Sequence, residues 1–266
     1  MESQTLNDLF ASTGIAREQW QQAMNSNTRI AQLDTPQGTF WLKKSAPPRG
    51  EFRYHALNFF SWIMRLSLLK AVPQPGGKAA IAMEINRIEQ LTQSGALVPE
   101  VISSSDDWLL IRHAGDSIVN ILKSADTIQC QRQYLFKRIL VALRRIHHNQ
   151  QYLSQAFIRN ILLDQQQDRI VFIDFEDDPL AVMSLADAQA RDLLLLINST
   201  ARFFINDQAF LHRCIQGFLS DHDPQVIETL RIASQRLQWV TRIPFQRLFG
   251  HDYQKLKTGI LALNGL

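Results

Sequence analysis

The sequence predicts an α+β fold of two unequal lobes. Strand-like segments concentrate in the first third of the chain, helical periodicity fills most of the rest, and one hairpin interrupts the helices. A ligand cleft is expected where the two lobes meet. With 266 residues, 45% of them hydrophobic, the chain can bury one large core or two modest ones, and the usual domain size favours a single bilobed unit.

Taken in order, residues 5–24 read as an amphipathic helix. Residues 28–34 and 39–44 then form a β-hairpin around the turn Thr35-Pro36-Gln37-Gly38. Residues 45–50 are a Pro/Gly linker. Residues 52–72 read as a helix ended by Pro73-Gln74-Pro75-Gly76-Gly77, and residues 79–94 as a second helix. Strands at 98–102 and 108–112 complete a β-β-α-α-β-β order. Helices follow at 116–123, 127–148, 186–205, 207–219, 224–240 and after Gly250. Residues 1–112 are therefore assigned to the smaller, β-rich N-lobe and 113–266 to the larger, helical C-lobe, within one domain overall. No internal repeat or low-complexity tract is present.

Composition removes several function classes. The net charge of +3, without a run of Lys or Arg, gives no support for nucleic-acid binding. Cys130 and Cys214 stand alone, with neither metal spacing nor a disulfide framework, as expected of a reducing compartment. Charged residues scattered through the first 20 positions interrupt any apolar leader, so a cytoplasmic location is expected. The 52–72 helix is rich in apolar residues but broken by Arg65 and too short to span a bilayer. It could pack inside the smaller lobe or lie peripherally on the inner face of the membrane, with its basic residues near anionic lipid.

The chemistry centres on Asn160-Ile161-Leu162-Leu163-Asp164 and Ile170-Val171-Phe172-Ile173-Asp174-Phe175-Glu176. These segments read as the two strands of a hairpin. Asn160 enters the first strand and Asp174 leaves the second, so an antiparallel pairing brings an amide oxygen and a carboxylate to the same end. Mg²⁺ takes such oxygen ligands together with substrate phosphates.

This arrangement resembles the protein-kinase-like superfamily, in particular the bacterial kinases of lipopolysaccharide sugars and the small atypical kinases related to RIO. The resemblance covers roughly residues 25–200. It implies a bilobed kinase-like fold, ATP and Mg²⁺ as cofactors, and a sugar or protein hydroxyl as acceptor. In such kinases a strand lysine holds the α- and β-phosphates and pairs with a helix glutamate. Phe40-Trp41-Leu42-Lys43 offers Lys43, with Lys44 as the fallback, and Glu84 is the helix acid, with Glu89 its rival. Asn160 and Asp174 would bind the metal. Residues 109–117 resemble the connection between lobes, where backbone near Arg112 to Ala114 would meet adenine, and Asp116 or Ser117 could cap the next helix. Asp192 would hold the backbone of the catalytic loop.

The chain also departs from the family pattern. Counting five residues back from Asn160, the catalytic aspartate of the loop is replaced by Gln155, which can orient an acceptor hydroxyl but cannot take its proton. General-base catalysis contributes about 10²–10⁴-fold, whereas phosphoryl transfer relies mostly on positioning and electrostatics. Weak transfer therefore remains open. The Gly of Asp-Phe-Gly is Glu176. Asp177 and Asp178 beyond it could bind a second ion, accept a proton or lie solvated in a turn. No glycine-rich phosphate loop precedes Lys43, and Asn25-Ser26-Asn27 is the nearest candidate for an anion-binding turn. The expected activity is ATP-dependent phosphotransfer, the alternatives being a pseudokinase that binds nucleotide or acts as a scaffold, and a kinase fold that transfers another ATP-derived group.

Overall fold

The computed structural model describes residues 2–47, 68, 70–73, 75–242 and 258–263. The apolar segment expected as a helix at 52–72 lies almost wholly outside the described residues, as does most of the stretch after Gly250. Two helices open the chain, α1 (Glu2–Thr13) and α2 (Arg17–Asn25), where the sequence reads as one. The break falls at Gly14, whose φ of 69° lies in the left-handed region that glycine tolerates.

A four-stranded antiparallel sheet follows from β1 (Ile30–Thr35), β2 (Gly38–Lys44), β3 (Val101–Ser104) and β4 (Trp108–Arg112), in the order β1-β2-β4-β3. Alternation along β2 determines what each face does. Phe40 and Leu42 point into a small core with Leu33, Leu110 and Trp20, which α1 and α2 cover. Trp41 and Lys43 face the opposite way, toward a cavity. Helix α3 (Gly77–Gln93) buries Ile81, Glu84, Ile88 and Leu91, spaced three and four apart on one face. A carboxylate thus sits within an apolar stripe, which it can do only with a charged partner.

The rest is mainly helical: α4 (Ile118–Lys123), α5 (Gln129–His148), α6 (Leu185–Thr200), α7 (Gln208–Leu219) and α8 (Pro224–Arg242). Leu135, Phe136, Ile139, Leu143 and Ile146 of α5 pack with Leu193, Leu196 and Ile197 of α6 and with Phe204, Phe210 and Phe218 in one large core. The molecule is therefore α+β, as expected, with a small antiparallel sheet and a helical part.

Strands β6 (Ile161–Asp164) and β7 (Arg169–Phe172) form the expected hairpin, with Ile161 opposite Phe172. Asp164 fastens its turn by accepting from the N–H groups of Gln166 and Gln167 at 3.1 and 3.2 Å. A short β5 (Asp116–Ser117) pairs with β6 where the sequence suggests the start of a helix. Strand pairing there depends on Gly115 (φ 134°), since an added Cβ would lie 2.5 Å from the Leu163 carbonyl oxygen. The Ser117 hydroxyl makes no cap to α4, and Asp116 instead accepts from Gln165 Nε2 at 2.6 Å.

Among the described residues no helix is long and apolar enough to cross a membrane. Cys130 is exposed, Cys214 is half-buried, and both are free thiols.

Candidate functional site

A cavity of about 530 Å³ opens between the sheet and the hairpin. Its apolar wall includes Trp41, Ile88, Ile111, Leu162 and Phe175, and its polar end carries Arg29, Lys43, Glu84, Asn160, Asp174 and Glu176. Four residues expected from sequence thus converge on one space from strand, helix and hairpin.

Lys43 is the centre of the polar end. Its Nζ donates to both oxygens of Glu84, at 2.6 and 2.7 Å, and both side chains are nearly inaccessible. It also lies 3.1 Å from Glu176 and 3.9 Å from Asp174. Burial opposes the charged form of Lys43, but Glu84, Glu176 and Asp174 together outweigh it and hold the ammonium above the ordinary lysine range. Lys44 is answered differently: its Nζ donates to the carbonyl oxygens of Ala23, Met24 and Ser26, at 2.9, 3.0 and 2.5 Å, closing the C-terminal end of α2. The Ser26 hydroxyl bonds Ala23 O, so the Asn25 to Asn27 turn finishes a helix and does not line the cavity. Glu89 is exposed on the other side of α3.

The hairpin places an amide and a carboxylate side by side. Ile173 N–H donates to Asn160 O at 3.0 Å, extending the β6–β7 register by one step, and brings Asp174 next to Asn160. Asn160 Nδ2 donates to Gln155 O at 3.0 Å and to Asp174 Oδ2 at 3.2 Å, which leaves the amide oxygen as the atom suited to face a cation. Asp174 holds φ 74°, a costly conformation for a residue with a side chain. One amide and one carboxylate oxygen suit Mg²⁺ when phosphate and water complete its shell. Among the described residues no cluster of three or more His, Cys, Asp or Glu is arranged to hold a metal by itself.

Gln155 is buried and does not line the cavity. Its Nε2 donates to Asp177 Oδ1 at 3.3 Å. Asp177 and Asp178 are not solvated turn residues: Asp177 is buried, while Asp178 caps the short 3₁₀ turn Pro179–Ala181 and accepts from the Tyr152 hydroxyl at 2.5 Å. Asp192, fully buried, accepts from Leu153 N–H at 2.6 Å and so anchors the backbone two residues before Gln155. At the far end, Arg112 and His113 use their N–H groups on Glu100 O and Thr39 O, and Ala114 lines the cavity beside them.

Two residues of the polar end were not expected from sequence. Glu176 bridges Lys43 and Arg29, the Arg29 Nη2 to Glu176 Oε1 distance being 2.6 Å. Burial raises the Glu176 pKa, but Lys43 and Arg29 more than offset this and hold it below the usual carboxylate range. Glu176 reads in the sequence only as the residue in the place of a glycine, and strand alternation does not give its side because Asp174 (φ 74°) is not extended. Arg29 could not be read, because 147 positions separate it from its partner.

No protein-family model matches the chain, and no curated protein matches it.

Proposed function

We propose that this chain is a bilobed, kinase-like protein that binds ATP with Mg²⁺ and transfers phosphate to a hydroxyl acceptor. The smaller lobe would be the sheet with α1 to α3, and the larger lobe the helices with the hairpin. The observation that carries the reading is the buried Lys43–Glu84 pair, sharing one cavity with Asn160 and Asp174. Lys43, fixed by both oxygens of Glu84, offers a rigid cation to phosphate oxygens. Asn160 and Asp174 would hold Mg²⁺, which supplies charge neutralisation along the triphosphate when bound. The apolar wall and the Ala114 backbone suit a purine and its hydrogen-bonding edge. An exposed hydroxyl on a lipopolysaccharide sugar or on a protein is the acceptor class the reading carries. The protein would work in the cytoplasm or peripherally at the inner face of the membrane.

A second reading, a pseudokinase that binds nucleotide or scaffolds a partner without turnover, is favoured by one feature. Gln155, in the place of the catalytic-loop aspartate, is buried against Asp177 and does not line the cavity.

Titration calorimetry of the whole chain with ATP, with and without Mg²⁺, tests the nucleotide site. Metal-dependent binding that Asp174→Asn abolishes supports it, and product analysis with sugar and peptide acceptors then separates the two readings. No binding at millimolar ATP by the wild type or by any variant of the polar end would sink the nucleotide site.

A further inference from the structure

Glu176 occupies an unusual position for a side chain in a ligand cavity. It is an anion already held by two cations, Arg29 at 2.6 Å and Lys43 at 3.1 Å, which reach it from the residue before β1 and from β2. The two cations differ in how they are held. Lys43 is also held by both oxygens of Glu84, contacts that do not involve Glu176. Arg29 is half-exposed; its Nε donates to Lys44 O at 3.3 Å, which aims the guanidinium at the cavity, and its Nη2 contacts Glu176. Glu176 itself belongs to residues 173–178, which follow β7 without regular secondary structure, so moving it breaks no strand pairing. A planar guanidinium and an ammonium converging on one carboxylate match the oxygens of a phosphate chain equally well.

We propose that Arg29 and Lys43 form a polyphosphate cradle in which Glu176 is the resident anion, so that a phosphate chain enters by displacing Glu176. The inference rests on the nucleotide reading for the rest of the ligand, but the cradle itself concerns the phosphates alone. It also gives a physical role to Arg29 in a chain without a glycine-rich phosphate loop: a side chain just before β1 supplies the donors that loop amides would otherwise provide. Glu176 makes the site selective. A single phosphate or a carboxylate brings little more charge than Glu176 already supplies, whereas a triphosphate with its metal brings several charged oxygens at once.

The test measures binding of Mg²⁺ with inorganic triphosphate, and separately of Mg·ATP, to the whole chain. The variants are wild type, Glu176→Gln, Arg29→Gln and the double variant, each checked for an unchanged melting transition. Glu176→Gln is expected to tighten triphosphate by about tenfold, the scale of one charge-assisted contact no longer competed for, and most of that gain is expected to vanish when Arg29 is also replaced. Unchanged or weaker triphosphate binding by Glu176→Gln overturns the cradle, as does a gain that survives intact without Arg29. If Glu176→Gln fails to fold, Glu176→Asp, which withdraws the carboxylate by one methylene, must tighten binding in the same direction or the inference falls. Tighter triphosphate with no ATP binding by any variant upholds the cradle and removes the nucleotide reading, so the two fail separately.

Discussion

Two polar clusters lie on either side of the 153–160 segment, and they are built on opposite principles. At the cavity, three carboxylates, Glu84, Asp174 and Glu176, crowd one ammonium and one guanidinium. Beneath the loop, Asp223 N–H donates to His222 Nδ1, His222 Nε2 lies 3.0 Å from His147 Nδ1, and His147 Nε2 lies 3.4 Å from Asp192 Oδ2. Because Asp223 requires Nδ1 of His222 as an acceptor, the proton of neutral His222 is on Nε2, and that of His147 is then on its Nε2 as well. Each ring nitrogen of the second chain thus has one assigned role, and the chain has one way to be arranged. The first has more acids than cations, so a ligand can rearrange it. The two clusters thus differ in how partners are shared: cations common to several acids at the cavity, fixed donor and acceptor roles along the histidine chain.

The largest effect expected from breaking this contrast is at Lys43. Lys43→Met leaves Glu84 buried without its cation and is expected to cost about 3–5 kcal/mol in urea unfolding, as for other half-broken buried ion pairs. Adding Glu84→Leu should recover most of that loss, because the pair is then removed together and Glu176 keeps Arg29. A double variant no more stable than Lys43→Met would show that the ionic cluster holds the fold as rigidly as the histidine chain does.

In the histidine chain the corresponding substitution is Asp192→Ala. It removes the acceptor of Leu153 N–H and of His147, and should cost about 2–3 kcal/mol by the same measurement, the scale for a buried donor left unpaired beside a lost charged acceptor. Unlike Lys43, it has no neighbouring apolar substitution that restores stability, since a backbone N–H cannot be mutated away. Full rescue of Asp192→Ala by His147→Leu would contradict the directional reading.

A smaller, pH-dependent effect belongs to His222. Burial, then the neighbouring His147 and His148, lower its pKa from 6.5 to about 4. The unfolded chain therefore binds a proton between these values that the folded chain does not. Stability from this group is complete above pH 6.5 and is lost as the pH falls toward 4. The size is about 2 kcal/mol, allowing for solvent screening at the edge of the core. Unfolding midpoints at pH 7.5, 5.5 and 4.5 should show the decline in the wild type and a flatter profile in His222→Gln. Equal slopes in the two proteins would assign the acid sensitivity elsewhere, with the cavity carboxylates first in line.

What could be read from sequence follows the same division. Asn160 and Asp174 were legible because both lie on one local hairpin, whose alternation and turn fix which ends meet. Lys43 and Glu84 were legible as types in order along the chain, and the choice of Lys43 over Lys44 follows only from the strand face, since one residue's shift sends the ammonium to the end of α2. Arg29 was hidden because strand alternation says nothing of a residue just outside the pairing, and its partner is supplied by a distant segment. The break at Gly14 was missed because a periodicity window averages over a single left-handed glycine, and the two-residue strand β5 because it is decided by tertiary pairing with Leu162 and Leu163. The histidine chain was missed for a similar reason: His147 read as the end of a helix, and nothing local joins it to His222.

The smallest effect is expected at Ser154, between the two clusters. Its φ is 70°, it is fully buried, and its hydroxyl has no hydrogen-bond partner among the described residues. Glycine would relieve the left-handed strain, about 1–2 kcal/mol, and remove an unsatisfied hydroxyl worth about 1 kcal/mol or more, against an entropy cost of roughly 0.5–1 kcal/mol. Ser154→Gly is therefore expected to stabilise the protein by about 1 kcal/mol, a rise of a few degrees in Tm. The strain lies one residue from Leu153, which Asp192 grips, and one from Gln155, whose carbonyl holds Asn160. A stabilised variant with weaker Mg·ATP binding would mean that the strained turn sets the Asn160 amide for its ligand, and that rigidity supplied by the histidine chain is what keeps the ionic cluster poised to exchange. A destabilised variant would mean instead that the serine hydroxyl is held in the folded protein, and that the loop belongs wholly to the fixed support.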